Sequence, residues 1–204
     1  EFALRIIISP AKKMVADDQT MPWADLPQFL PQTEQLLEKL RSMSLDECQK
    51  LWACNQNLAE LNYDRVQHMD LRRNLSPAIL SYVGIQYQYM AANVLEENAY
   101  AYLQEHLRIL SGFYGALRPF DGVTPYRLEM QSKLAVDGCA NLYEFWGDSL
   151  YRAALDESRV IINLASKEYS KCVEAHLQPE DTMIDVVFGE LLNGKVVQKG
   201  TFAK

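Results

Sequence analysis

Leu4-Arg5-Ile6-Ile7-Ile8-Ser9-Pro10-Ala11-Lys12-Lys13 opens the chain with an apolar run that stops abruptly at a serine and a proline. Isoleucine is stiff at its β carbon and favours extended backbone, and proline fixes φ and withdraws a donor. A short apolar run bounded by such a turn signal predicts a buried strand with a turn at its carboxyl end. Arg159-Val160-Ile161-Ile162-Asn163-Leu164 repeats the pattern, and Met183 to Phe188 predicts a further strand. Helical patterns lie between these runs. The fold class is therefore α/β: one domain over residues 1–204, with a mixed β-sheet flanked by helices.

In open α/β sheets, ligands sit outside the carboxyl ends of the strands. That places Ser9 and Lys12 at one candidate position. Asn163, Ser166, Lys167 and Tyr169 occupy the corresponding position after the second run. Ser166 is the expected N-cap of the following helix, and a helix start beyond a strand is a natural anion site.

The intervening helices are legible. Leu36, Leu37, Leu40 and Met43 keep one face of a first helix, after an irregular, proline-containing loop over residues 14–31. Ser44-Leu45-Asp46-Glu47 is a capping box opening a second, and a third runs from about Gln56 to His68. Ala78 to Val83 reads as a strand. Ala99, Leu103, His106, Leu107 and Leu110 keep a helical stripe over about Glu96 to Leu110, with His106 as a core histidine. Leu142 to Asp148 lies on or beside a helix running to about Ser158, and Gly147 is unusual there because glycine inside a helix costs ~1 kcal/mol relative to alanine. Asn193-Gly194 predicts a two-residue hairpin turn.

The densest stretch runs from Leu110 to Met130, with Gly112, Gly115 and Gly122, two prolines, two arginines, two carboxylates and four aromatics. Ser111, Tyr114, Arg118, Tyr126 and Arg127 are its candidate functional residues. An irregular connector whose arginines pair with Asp121 and Glu129 is the bland alternative.

The net charge of −7 excludes a uniformly basic nucleic-acid coat and leaves open a local basic cleft. Four cysteines without CxxC spacing and only three histidines point to free thiols, with no metal site and no cofactor motif. No apolar run approaches the ~20 residues that span a bilayer, and no secretory signal is read, so the cytoplasm is the expected compartment.

Three motifs fail on inspection. Gly189-Glu190-Leu191-Leu192-Asn193-Gly194-Lys195 nearly matches a phosphate-binding loop, but Val196 replaces the magnesium-binding hydroxyl. No serine lies in a G-x-S-x-G elbow, and no histidine has the Glu-x-x-His spacing of a di-iron bundle.

Five fragments carry a resemblance: Ser9-Pro10-Ala11-Lys12, the run Leu110–Met130, Tyr143-Glu144-Phe145-Trp146-Gly147-Asp148, Ile162 to Tyr169, and Phe202-Ala203-Lys204. In that order the chain resembles the YaaA family of bacterial peroxide-stress proteins along essentially its whole length. The resemblance implies a cytosolic protein that limits oxidative damage and is associated with low free intracellular iron. It also implies a family-specific α/β fold, a positively lined cleft and DNA binding, including a helix-hairpin-helix element. The glycine spacing at Gly112 and Gly115 departs from such a hairpin, and the family usually continues beyond its Phe202-Ala203-Lys204 motif into further basic residues, which the sequence up to Lys204 does not show.

Lys12, Arg118, Arg127, Lys167 and Lys204 all fall in these fragments and are expected to converge on one cleft. Tyr114, Tyr126 and Trp146 are candidates to stack on bases, and Asp148, Glu129 or Glu168 to serve as acid or base. Three readings stand: DNA binding through the cations, an enzyme or binder for a nucleotide-like or other small anion, and internal ion pairs holding an unusual fold. DNA is the leading expected partner, with a small anionic ligand second.

Overall fold

The computed structural model describes residues 3–17, 20–91 and 96–198. The opening run becomes strand β1 (Arg5–Ile8), followed by the short β2 (Lys13–Met14). Helices α1 (Leu30–Arg41), α2 (Leu45–Trp52) and α3 (Gln56–His68) come next. β3 (Ser76–Pro77), one helical turn α4 (Ala78–Ser81), β4 (Tyr82–Val83), α5 (Ile85–Ala91) and α6 (Glu97–His106) return the chain to the sheet. β5 (Leu107–Ser111) and β6 (Gly115–Leu117) form a hairpin, after which β7 (Gly122–Val123) pairs with β3. The chain continues through α7 (Leu142–Trp146), α8 (Ser149–Ala154), β8 (Val160–Asn163), α9 (Lys167–Glu174) and β9 (Thr182–Asp185). A second hairpin, β10 (Gly189–Leu192) and β11 (Lys195–Gln198), turns at Asn193-Gly194, where both residues take positive φ.

The main sheet has the order β6-β5-β1-β8-β9. β5, β1, β8 and β9 run parallel, and β6 is antiparallel, so the sheet is mixed. β1 is its hub. The chain leaves β1 toward β5 on one side, while β8 sends it on to β9 on the other. Neighbouring strands whose connections diverge open a crevice beyond their carboxyl ends. That crevice lies between β1 and β8, at Ser9 and Ser166. Ile7, Ile8, Ile109 and Ile161 anchor the sheet in the core, together with Trp146, Phe113, Tyr114 and Phe120.

The local signals account for much of this. Ser44 and Glu47 form the reciprocal capping box expected at the start of α2. Asn55 caps α3 through its side chain, and Pro31 occupies the first turn of α1, where its missing donor is harmless.

Three expectations are corrected. The helix drawn from Glu96 to Leu110 ends at His106, and Leu107–Ser111 is a central strand buried along its whole length. Such a strand shows no alternation, so its leucines extended a helical stripe by coincidence. Ala78–Val83 is a helical turn followed by a two-residue strand. Gly147, at φ 52°, ends α7 rather than lying inside one long helix. Gly112 to Gly115 form the buried turn of a β-hairpin, in line with a glycine spacing that departs from a helix-hairpin-helix. His106 is a satisfied core histidine, its Nδ1 2.7 Å from the Leu4 carbonyl.

Candidate functional site

The crevice between β1 and β8 holds a small cavity of ≈ 180 Å³, lined by residues from three segments. Ser9, Pro10, Ala11 and Lys12 follow β1, Ser166, Glu168 and Tyr169 begin α9, and Tyr126 to Glu129 form the opposing wall.

Each wall has a physical anchor. The Ser166 N–H donates to Ser9 Oγ at 2.8 Å, and the two hydroxyl oxygens lie 3.1 Å apart, tying the strand ends together. Ser166 starts the helix, as expected, but its side chain makes no cap; it turns to Ser9 instead. The Tyr87 hydroxyl donates to the Ser9 carbonyl at 2.6 Å, fixing the turn after β1. On the far wall, a Cβ on Gly112 would stand 2.6 Å from the Leu128 carbonyl oxygen, so only glycine lets the end of β5 approach Leu128 and Glu129 this closely. The Tyr126 hydroxyl is 2.5 Å from Ser111 Oγ and 2.6 Å from the Tyr82 hydroxyl. Ser111 Oγ also accepts from the Phe113 and Tyr114 N–H groups. Burial pushes the Tyr126 phenol up to about 12, so it stays neutral and holds this network together.

The electrostatics of the cavity are mixed. Lys12 pairs with Glu129 at 3.2 Å at the rim. Arg127 makes no ion pair or hydrogen bond among the described residues, and its Nε is shut away from solvent without a partner. Glu168 has a buried oxygen in the same condition. Burial first, and then the Glu129 charge, push the Glu168 carboxyl above its ordinary value. Burial likewise keeps the Tyr169 phenol neutral. The opening turn of α9 adds backbone donors that have no intrahelical partner.

Of the candidate residues, Ser9, Lys12, Tyr126, Arg127, Ser166 and Tyr169 meet in this cavity. Ser111 and Asn163 stand behind it. Asn163 donates to Asp185 at 2.8 Å and accepts from the Ala165 N–H at 2.9 Å, which shapes the turn into α9.

The other candidates do not converge. Arg118 binds Asp121 at 2.9 Å, approaches Asp25 at 3.8 Å and donates to the Leu26 carbonyl at 3.0 Å, as a strap for the loop before α1. Lys167 pairs with Glu174 along its own helix. Asp148 pairs with Arg152 one turn on. Tyr114 is buried, its oxygen accepting from the Thr124 N–H, and Trp146 is buried and donates to the Gly112 carbonyl at 2.9 Å. Neither ring is available to a base. Lys204 and its Phe202-Ala203-Lys204 motif lie outside the described residues. The expected five-cation cleft therefore reduces to Lys12 and Arg127 among the described residues. Glu129 and Glu168 do line the cavity, while Ala11 and Leu128 had no chemical signature in sequence. The role of Tyr87 in holding Ser9 depends on a contact 78 residues apart.

A family model described as peroxide stress protein YaaA matches residues 4–204. The chain belongs to the YaaA family of peroxide stress proteins. A UPF0246 protein of Agathobacter rectalis is 51% identical over 201 residues, covering 98% of this chain and 81% of the relative. UPF0246 proteins of Lachnoclostridium phytofermentans and Lactiplantibacillus plantarum are each 53% identical over 201 residues, 98% of this chain and 79% and 81% of their own lengths. YaaA-family membership carries a peroxide-stress role. No helix among the described residues is long and apolar enough to cross a membrane.

Proposed function

We propose that this YaaA-family protein acts in peroxide stress by holding a small anionic ligand in the pocket between β1 and β8, as a binder or an enzyme. The observation that carries the reading is Arg127, a guanidinium at the wall of a narrow crevice that makes no ion pair or hydrogen bond among the described residues. Arg118 and Arg159 pair with Asp121 and Asp181, and Arg41 and Arg108 donate to backbone carbonyls, whereas Arg127 has neither kind of partner among the described residues. An unpaired, partly buried arginine is costly unless an anion completes it, and its planar fork suits phosphate or carboxylate. The ≈ 180 Å³ cavity, below the ~300–1,000 Å³ of pockets for drug-sized ligands, suits a compact molecule. Ser9, Ser166 and the start of α9 add donors beside it.

Thermal unfolding with orthophosphate, small carboxylates and nucleoside monophosphates tests this. At least one class is expected to raise Tm, and Arg127→Ala to remove the rise. The DNA-binding role implied by the family is measured alongside, by fluorescence anisotropy with labelled duplex at ~50 and ~200 mM salt. Salt-dependent duplex binding lost in Arg127→Ala, with no response to any small anion, replaces this proposal with the DNA reading. We carry the family's link to low free iron as part of the proposal. A strain bearing Arg127→Ala is expected to match one lacking the protein in chelatable iron under peroxide.

A further inference from the structure

Four charged side chains line the pocket, and only two of them pair with each other. Lys12 and Glu129 pair across the rim. Arg127 and Glu168 line the same cavity with opposite charge, yet no ion pair joins them, and each keeps one polar atom shut off from water without a hydrogen-bond partner. The rest of the lining combines apolar and aromatic groups, among them Ala11, Leu128 and the ring of Tyr126, with the hydroxyls of Ser9 and Ser166. Arginine only donates, and a carboxylate accepts, so the two groups ask for opposite things from an occupant.

We propose that the ligand is a compact molecule with an anionic group at one end, taken by Arg127, and an N–H donor at the other, taken by Glu168. This rests on the small-ligand reading above and narrows its chemistry to a zwitterion-like class. A purely anionic ligand would satisfy Arg127 and leave the buried Glu168 Oε2 without a hydrogen-bond partner beside Glu129, whatever the Gln131 N–H and the Tyr169 hydroxyl give the rest of that carboxylate. A polar group stranded in this way costs ~1–3 kcal/mol, which separates two otherwise matched ligands by roughly 5- to 150-fold.

The test is calorimetry on the full chain with matched pairs: acetate with glycine, propionate with β-alanine, and butyrate with γ-aminobutyrate, plus orthophosphate. At least one amino compound is expected to bind ten times or more tighter than its carboxylate twin. Glu168→Gln should erase that preference without weakening the twin, and Arg127→Lys should weaken both. Equal binding within every pair, or a preference that survives Glu168→Gln, overturns this inference. If phosphate or carboxylates still bind through Arg127 in that case, the small-anion reading stands alone. If no small anion binds at all, both fall. The wild-type comparison of twins keeps the test valid even if a variant fails to fold.

Discussion

Asp121 offers a quantitative test of how the central stretch holds the fold. Its carboxylate is wholly buried, with Oδ1 2.9 Å from Arg118 Nε and Oδ2 accepting the Arg118 backbone N–H at 2.9 Å. Burial outweighs these contacts and raises the carboxyl from an ordinary 3.8 to about 6. The desolvation of a buried ion pair commonly exceeds its Coulombic gain. A folded value above the unfolded one means that the native state holds the proton more tightly. Stability from this group is therefore present in full below pH ~4, falls as pH rises, and is gone above pH ~6. The shift corresponds to about 3 kcal/mol across that window. Asp121→Asn keeps the shape and removes the titration. Urea unfolding of both proteins at a series of pH values between ~4 and ~8 gives the difference between them. The native protein is expected to lose about 3 kcal/mol relative to Asp121→Asn over that rise. A difference flat in pH would refute the reasoning. So would a native protein that gains on the variant as pH rises, because pairing with Arg118 would then outweigh burial.

Three further changes follow from the packing. At Gly115, φ is +78° and an added Cβ would stand 2.7 Å from the Trp146 ring, so Gly115→Ala should cost at least ~2 kcal/mol in urea unfolding. Trp146→Ala empties a buried site and orphans the Gly112 carbonyl, for an expected loss of ~3–5 kcal/mol in the same assay. Tyr126→Phe breaks the hydroxyl link between Ser111 and Tyr82; a loss of ~1–3 kcal/mol is expected, with weaker ligand response because the pocket wall loosens.

The parts of the fold legible in sequence are those whose signals are local. Ile6 to Ile8, Val160 to Asn163, the Ser44–Glu47 box and Asn193-Gly194 each specify their structure within a few residues. Leu107–Ser111 was hidden because a strand covered on both faces has no period of its own, and it follows a helix whose stripe it happens to continue. The site divided along a similar line. Ser9, Lys12, Ser166 and Tyr169 were readable as residues following parallel strands, where crevices form. Their meeting with Tyr126 and Arg127 depends on the close approach at Gly112, which composition does not disclose. Arg118, Lys167 and Asp148 misled because a charged residue shows its sign but not its partner. Opposite charges at Asp121, Glu174 and Arg152 stand three, seven and four residues away, and that spacing was the available warning.

The most direct test of the central claim is to follow the Arg127 Nε–H resonance by nitrogen–proton NMR, assigned through Arg127→Lys, while adding orthophosphate and the small carboxylates. A saturable shift of that resonance is expected at the ligand concentrations that raise Tm. A resonance that stays fixed while Tm rises, or that moves only with duplex DNA, would contradict that claim.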